Sequence, residues 1–136
     1  MEREVVERET MGELNTRLGI RITDWTPERV VATMPVEGNR QPYGVLHGGA
    51  SCALAEAIGS TAAALNAGPE QYPVGVDINA THHRSVTTGT VTAVCTPLHV
   101  GRSTATFLIE ITEEAGRRVC SARLTCLYRD NRPNVR

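Results

Sequence analysis

Alternation of apolar and polar residues dominates the C-terminal half of the chain. Apolar residues recur at every second position in four segments, near 74–80, 89–98, 105–111 and 120–128. A period of two places successive side chains on opposite faces of a strand, so these segments are predicted to be half-buried β-strands. The connections between them are short, which predicts that consecutive strands are antiparallel neighbours.

The N-terminal third predicts one short helix followed by two strands. Apolar residues within 3–17 recur near helical spacing with charges between them, and Gly19 is expected to end this helix. Segments 20–25 and 28–36 then alternate on either side of Thr26-Pro27 and predict two short strands.

Small apolar residues are nearly continuous from about 48 to 66, and this stretch predicts a second helix. Asn66 and Gly68 are typical stop residues. An exposed helix would carry a polar stripe, but Glu56 is the single charge here, so the helix is expected to be surrounded by protein on most sides. The element order predicts an α+β fold in one domain, 1–136, with an antiparallel sheet wrapped around this helix.

Composition narrows the classes of function. A net charge of −1 provides no basic field for nucleic acid, and no stretch reaches the 18 or so apolar residues of a membrane span. The mixed charges before Met11 do not form a secretory signal. The four cysteines form no Cys-x-x-Cys pair, so we expect reduced thiols in a cytoplasmic protein, with no metal site and no cofactor.

His47-Gly48-Gly49 stands where the second helix is predicted to begin. Glycine has no Cβ, which lets a ligand approach the backbone, and the first N–H groups of a helix have no partner within it. Such donors polarise a carbonyl and stabilise an oxyanion, an effect worth ~3 kcal/mol in a catalytic site. The alternative is an ordinary helix start with glycines chosen for packing.

Glu56 lies in the middle of this helix among alanines, leucine and isoleucine. A buried carboxylate is costly unless it is compensated or protonated, which favours a catalytic role. The alternative is that Glu56 faces a gap or pairs with an arginine such as Arg84. Ser60 follows one turn later on the same face, where it could donate a hydrogen bond to Glu56 or simply serve packing.

The spacing of these features predicts a dimer. His47 and Glu56 are nine residues apart, which is roughly 13 Å along a helix and on opposite faces, and Gly48 is no nearer than roughly 12 Å. One carbonyl therefore cannot touch both Glu56 and the helix start of the same copy. If both act on one carbonyl, they belong to different subunits, and a homodimer carries two shared sites.

The segment GVLHGGASCALAEAIGS resembles the motif of hotdog-fold thioesterases of the phenylacetyl/4-hydroxybenzoyl-CoA type. The resemblance covers roughly 38–127, through QPYGVLHGG, INATHHRSV, VCTPLHVGR and GRRVCSARLT. Within the family it is similar to the proofreading thioesterases of enterobactin synthesis and to 1,4-dihydroxy-2-naphthoyl-CoA hydrolases. Many relatives have Asp where this chain has Glu56, and Glu is typical of the aryl-CoA and proofreading branch.

The resemblance implies hydrolysis of an acyl-CoA, or an acyl-carrier-protein thioester, to a free acid and a thiol. It implies that Glu56 is the nucleophile or general base, that the Gly48 N–H polarises the carbonyl, and that Ser60 assists Glu56. Gln41 and His47 would orient the carbonyl or the attacking water. Family structures place Glu56 across a subunit interface from these groups, and the dimers pair into tetramers.

The resemblance also implies that His82, Arg84 and Arg102 bind the nucleotide end of coenzyme A, since arginines bind phosphates well. The alternative is a histidine at a strand edge and two solvated arginines. His83 receives no role. Two other functions remain open: a hotdog hydratase or dehydratase, which would need a histidine close to the carboxylate, and a non-catalytic module that binds acyl-CoA or acyl-carrier protein.

Overall fold

The predicted elements are all present in residues 12–130, which are the residues that the computed structural model describes. Both strands and the long helix in the N-terminal half lie within one residue of their predicted bounds, and the bounds of the four later strands differ from the predictions by one to three residues. In chain order the elements are α1 Glu13–Leu18, β1 Arg21–Thr26, β2 Arg29–Pro35, α2 Gly48–Leu65, β3 Gln71–His82, β4 Thr90–Val100, β5 Thr104–Thr112 and β6 Arg118–Asp130.

Helix α1 ends where the sequence predicts. Gly19 has a φ of 75°, a left-handed conformation that favours glycine, and its N–H bonds to the carbonyl of Thr16. The predicted helix began at residue 3, and the part before residue 12 lies outside the described residues.

All six strands form one antiparallel sheet in the order β1-β2-β4-β5-β6-β3. The prediction of antiparallel neighbours among the four later strands is correct for β4–β5 and β5–β6, but wrong for β3 and β4. Strand β3 pairs with β6 at an edge, and β4 lies beside β2. A short connection did not force pairing here because the sheet curls around α2. Segment 83–89 instead crosses the start of that helix, where the Leu46 N–H bonds to the Val86 carbonyl at 2.8 Å.

Helix α2 supplies the centre of the core and contacts all six strands. Leu54 and Ile58 are fully buried on one face of the helix, and Phe107 and Leu124 are fully buried on the sheet. Burial of each large side chain contributes about 1.5–3 kcal/mol relative to exposure. Gly59 packs so closely on the sheet that an added Cβ would stand 2.4 Å from Leu124 Cδ2. The expected α+β architecture, a sheet around a long helix, is confirmed.

One face of α2 is only partly covered by the described part of the chain. This open face consists of small or polar residues that are only partly buried: Cys52, Ala53, Glu56, Ala57, Ser60 and Ala64.

None of the helices within residues 12–130 has the length and hydropathy that crossing a bilayer requires.

Candidate active site

The start of α2 is held rigidly by the chain before it. His47 is the N-cap, and its Nδ1 accepts a hydrogen bond of 2.8 Å from the Gly49 N–H. Its own N–H bonds to the Asn39 carbonyl, and the buried Asn39 amide donates to the carbonyls of Leu18 and Pro35. Because Nδ1 must be the acceptor, the neutral His47 ring carries its proton on Nε2, which is left as a donor.

The Gly48 N–H has no hydrogen-bond partner among the described residues. It is the first amide of α2, so its partial positive charge is available to an incoming carbonyl. The imidazole of His82 lies against this glycine, and a Cβ at Gly48 would stand 3.0 Å from His82 Nε2. Glycine is therefore needed here for close approach, as well as being suited to a ligand.

The side-chain amide of Gln41 is oriented by its own loop. Its Oε1 accepts a hydrogen bond from the Tyr43 N–H, and its backbone bonds to Val45 and Gly44 at 2.8 and 3.0 Å close the turn. Gly44 has a φ of 85°, which the turn requires. Since the amide oxygen is occupied, the Gln41 NH2 group is the part left to donate to a ligand.

A cavity of about 330 Å³ lies beside this helix start, and we name it the polar cavity. It brings together four predicted site residues, Gln41, Gly48, His82 and Arg84. No acidic side chain is among its lining residues, so its charge favours an anionic ligand. The full lining is Gln41, Leu46, Gly48, Ser51, His82, His83, Arg84, Ser85 and Val119.

The structure does not bring His47 into the polar cavity. The His47 side chain lines a second, mainly apolar cavity of about 320 Å³ with Leu14, Leu18 and Ala53. Gly49 and Ala50 also line it, so the two cavities lie on different sides of the start of α2.

Glu56 lines neither of these two cavities and is half-buried on the open face. Ser60 Oγ donates to Glu56 Oε2 at 3.3 Å, which confirms the predicted hydrogen bond. No ion pair to Glu56 occurs within residues 12–130, so pairing with Arg84 is not observed. Burial, and then the nearby Glu56 carboxylate, raise the pKa of the Cys126 thiol to about 11.

Sequence reasoning missed Gly75, which makes room for the Glu56 carboxylate. A Cβ at Gly75 would stand 3.0 Å from Glu56 Oε2 and 3.3 Å from Oε1. Strand β3 has a bulge at this point, between Gly75 and Asp77, in its pairing with β6. An isolated glycine within a strand pattern is the sequence feature that could have indicated a bulge or a close approach.

Arg102 is remote from His82 and Arg84 within one chain. Its carbonyl accepts a hydrogen bond of 3.1 Å from the side chain of Gln71, the first residue of β3, whereas His82 is the last residue of that strand. An extended strand of this length separates its ends by roughly 36 Å. The three residues predicted to bind the nucleotide therefore lie at two ends of the same edge strand.

The cysteine thiols and the possible metal ligands of the described residues do not add a reactive group to this site. All four cysteines are free, and burial raises the pKa of Cys95 to about 12 and that of Cys120 to about 11. Together with Cys126, these thiols stay protonated near neutral pH and are poor nucleophiles. In the described part of the chain, no three His, Cys, Asp or Glu side chains cluster closely enough to bind a metal ion.

The site therefore combines a free amide at a helix start with a half-buried carboxylate on the same helix. Residues 43–120 of the chain match the sequence profile of the Thioesterase superfamily. The chain belongs to this family, and it is a thioester hydrolase of the hotdog fold. Its sequence is 46% identical over 123 residues to the proofreading thioesterase EntH of Cronobacter turicensis, covering 90% of each protein.

Two further comparisons agree with that assignment. The 1,4-dihydroxy-2-naphthoyl-CoA hydrolase of Escherichia coli K12 is 50% identical over 109 residues, which is 79% of this chain and 80% of the hydrolase. The crystal structure of a Haemophilus influenzae thioesterase superposes with a TM-score of 0.92 at 38% identity, covering 100% of this chain and 96% of that one. The predicted family and fold are confirmed, and hydrolysis is supported over the hydratase and binding-module alternatives.

Proposed function

We propose that this thioesterase hydrolyses CoA thioesters of aromatic acids, with Glu56 as the catalytic carboxylate and the Gly48 N–H as the carbonyl-polarising donor. The observation that carries the proposal is a half-buried carboxylate without an ion pair in the described chain, on the partly covered open face of a helix whose first amide is also unpaired. Water supplies the oxygen of the product acid, and the thiolate of CoA leaves and takes up a proton.

The aromatic acyl group and CoA are supported by different observations. The named relatives include a hydrolase of a naphthoyl-CoA and a proofreading thioesterase. The polar cavity presents His82 and Arg84 without an acidic lining residue, which suits the phosphates of CoA. An acyl-carrier-protein thioester shares the phosphopantetheine arm and remains the second substrate to test.

The active site is proposed to be shared between two subunits. Gly48 and Glu56 are eight residues apart on α2, roughly 12 Å along its axis, which is too far for one carbonyl to touch both. Glu56 and Ser60 belong to the open face, which a second copy would cover. In this arrangement Glu56 of one subunit acts on a thioester held by Gln41 and Gly48 of the other.

Strand β3 supports this arrangement because it is a 12-residue sheet edge with exposed apolar side chains. Val74 and Val76 are 38% and 51% exposed, and an unprotected edge pairs readily with another strand. Antiparallel pairing of two β3 strands sets the start of one against the end of the other. Arg102 of the partner subunit would then approach His82 and Arg84, reuniting the three predicted phosphate ligands.

The remaining roles follow from the donors that the fold leaves free. The Gln41 NH2 group and the Gly48 N–H would together donate hydrogen bonds to the carbonyl oxygen. His47 offers Nε2–H from the other side of the helix start, and Ser60 holds one oxygen of Glu56. Glu56 then either attacks the carbonyl carbon or removes a proton from water.

We further propose that the whole chain is one domain, that dimers pair into tetramers, and that the protein works in the cytoplasm. The four free cysteines support a reducing compartment. Analytical ultracentrifugation separates dimer from tetramer by mass.

The decisive experiment replaces Glu56 with Gln, which keeps the size of the side chain and removes the charge. With benzoyl-CoA and a thiol-trapping dye, kcat should fall at least about 100-fold, the usual contribution of a positioned acid or base. Glu28→Gln, at an exposed turn between β1 and β2, is the matched control and should leave kcat unchanged. Turnover of the Glu56→Gln protein at the wild-type rate would contradict the proposal.

A further inference from the structure

A chain of polar contacts runs across β5 and β6 to the segment that follows β3. Arg118 Nε lies 2.9 Å from Glu110 Oε2, Ser121 Oγ donates to the same oxygen at 2.7 Å, and His83 Nε2 lies 3.0 Å from Ser121 Oγ. A carboxylate only accepts, so the Ser121 proton is directed to Glu110. The Ser121 oxygen must then accept a hydrogen bond from His83 Nε2–H. The donor and the acceptor of each of these hydrogen bonds are thereby fixed.

The chain of polar contacts ends at the wall of the polar cavity. His83 directly follows the last residue of β3, and segment 83–85 lines the cavity beside His82. Among residues 12–130, the backbone of the segment is held only by the N–H groups of His83 and Arg84, which share the Val119 carbonyl at 2.7 and 3.4 Å. The second distance is long for a hydrogen bond, so the side chain of His83 is a substantial part of the attachment.

We propose that Glu110, Ser121 and His83 are positioning residues that hold segment 83–85 against β6, and that they thereby set the affinity for the phosphate-bearing end of the substrate. The inference rests on the proposed function, since it takes His82 and Arg84 to bind that end. His82 and Arg84 are exposed, so their side chains need a fixed backbone to converge on one phosphate group.

The location of the network predicts which kinetic constant responds. Glu110 and Ser121 lie on strands β5 and β6, where their side chains alternate with the buried residues that face α2, and His83 is the member of the network that lines the polar cavity. Loosening segment 83–85 should weaken ground-state binding of a CoA thioester, which raises KM and leaves kcat unchanged. A thioester without the nucleotide should not respond, because it makes no contact that the segment controls.

The test compares two thioesters of one acid, benzoyl-CoA and benzoyl-N-acetylcysteamine, in wild-type protein and in Ser121→Ala. KM for benzoyl-CoA should rise about 3- to 10-fold, the net effect of a hydrogen bond, with kcat within about twofold. Both constants for the N-acetylcysteamine ester should stay at their wild-type values. His83→Ala should likewise raise KM for benzoyl-CoA, and it alters an exposed side chain outside the strands, so folding is not at risk.

A matched control is available on the same two strands. Thr106 and Thr125 form a similar hydroxyl contact of 3.0 Å between β5 and β6, away from segment 83–85. Thr125→Ala should leave KM for both esters unchanged. The double variant His83→Ala/Ser121→Ala should be no worse than either single variant, because both break one chain of contacts.

Three results would overturn the inference. KM could rise equally for both esters, which would mean that the network only supports the fold, or KM for benzoyl-CoA could remain unchanged. The single variants could also add fully in the double variant. If wild-type protein hydrolyses neither ester, the proposed function fails and the positioning role fails with it, so the two failures are distinguishable.

Discussion

The space that Gly75 leaves for the Glu56 carboxylate can be filled by one methyl group. In Gly75→Ala the new Cβ would stand 3.0 Å from Glu56 Oε2 and 3.3 Å from Oε1, which is several tenths of an ångström inside ordinary contact. Gly75 does not have a positive φ, so alanine fits the backbone without strain. The carboxylate, at the end of a flexible side chain, should therefore move rather than the strand.

The two consequences of this substitution should have different magnitudes. Replacing glycine at a compatible position stabilises a protein by about 0.4–1 kcal/mol through the unfolded chain, and mild crowding offsets part of this gain. We therefore expect Tm to change by less than about 4 °C. Catalysis depends more steeply on position, and a misplacement near 1 Å costs about 100-fold, so a shift of several tenths should lower kcat about 10-fold.

The assay is thiol release from benzoyl-CoA at saturating substrate, together with thermal unfolding. Gly75→Ala in a Glu56→Gln background serves as the control, because a methyl group that acts through the carboxylate should have no further effect there. A wild-type kcat in the single variant would refute the reasoning. An equal loss in both backgrounds would also refute it, since the methyl group would then act on something other than Glu56.

Two further predictions concern the shared site and the core. Mixing Glu56→Ala with Gln41→Ala subunits should restore activity in about a quarter to a half of the sites if each site takes one residue from each subunit. Mass spectrometry verifies that the subunits have exchanged. If activity does not recover in the exchanged sample, shared sites are excluded. Gly59→Ala should destabilise the fold by about 1–3 kcal/mol, because its Cβ would be 2.4 Å from Leu124 Cδ2, and urea unfolding measures this; an unchanged midpoint would show that the sheet relaxes freely.

Local pattern was sufficient to predict the elements and to single out the candidate site residues on α2. The long apolar helix follows from a run of small residues with one charge, and the start and end of α2 were predicted to within a residue. Glu56, with Ser60 one turn later, and the glycine pair at the helix start were recognisable because helix geometry fixes their relation. The same geometry separates Glu56 from Gly48, which is why a dimer could be predicted from one chain.

Tertiary structure decided everything that depends on residues distant in sequence. The curl of the sheet around α2 put β4 beside β2 and left β3 as an edge, although β3 and β4 are consecutive. Periodicity assigns a side chain to a face, but it does not say which strand lies next to that face. For that reason the room that Gly75 provides for Glu56, and the contact of His83 with Ser121, 38 residues away, emerged only from the fold.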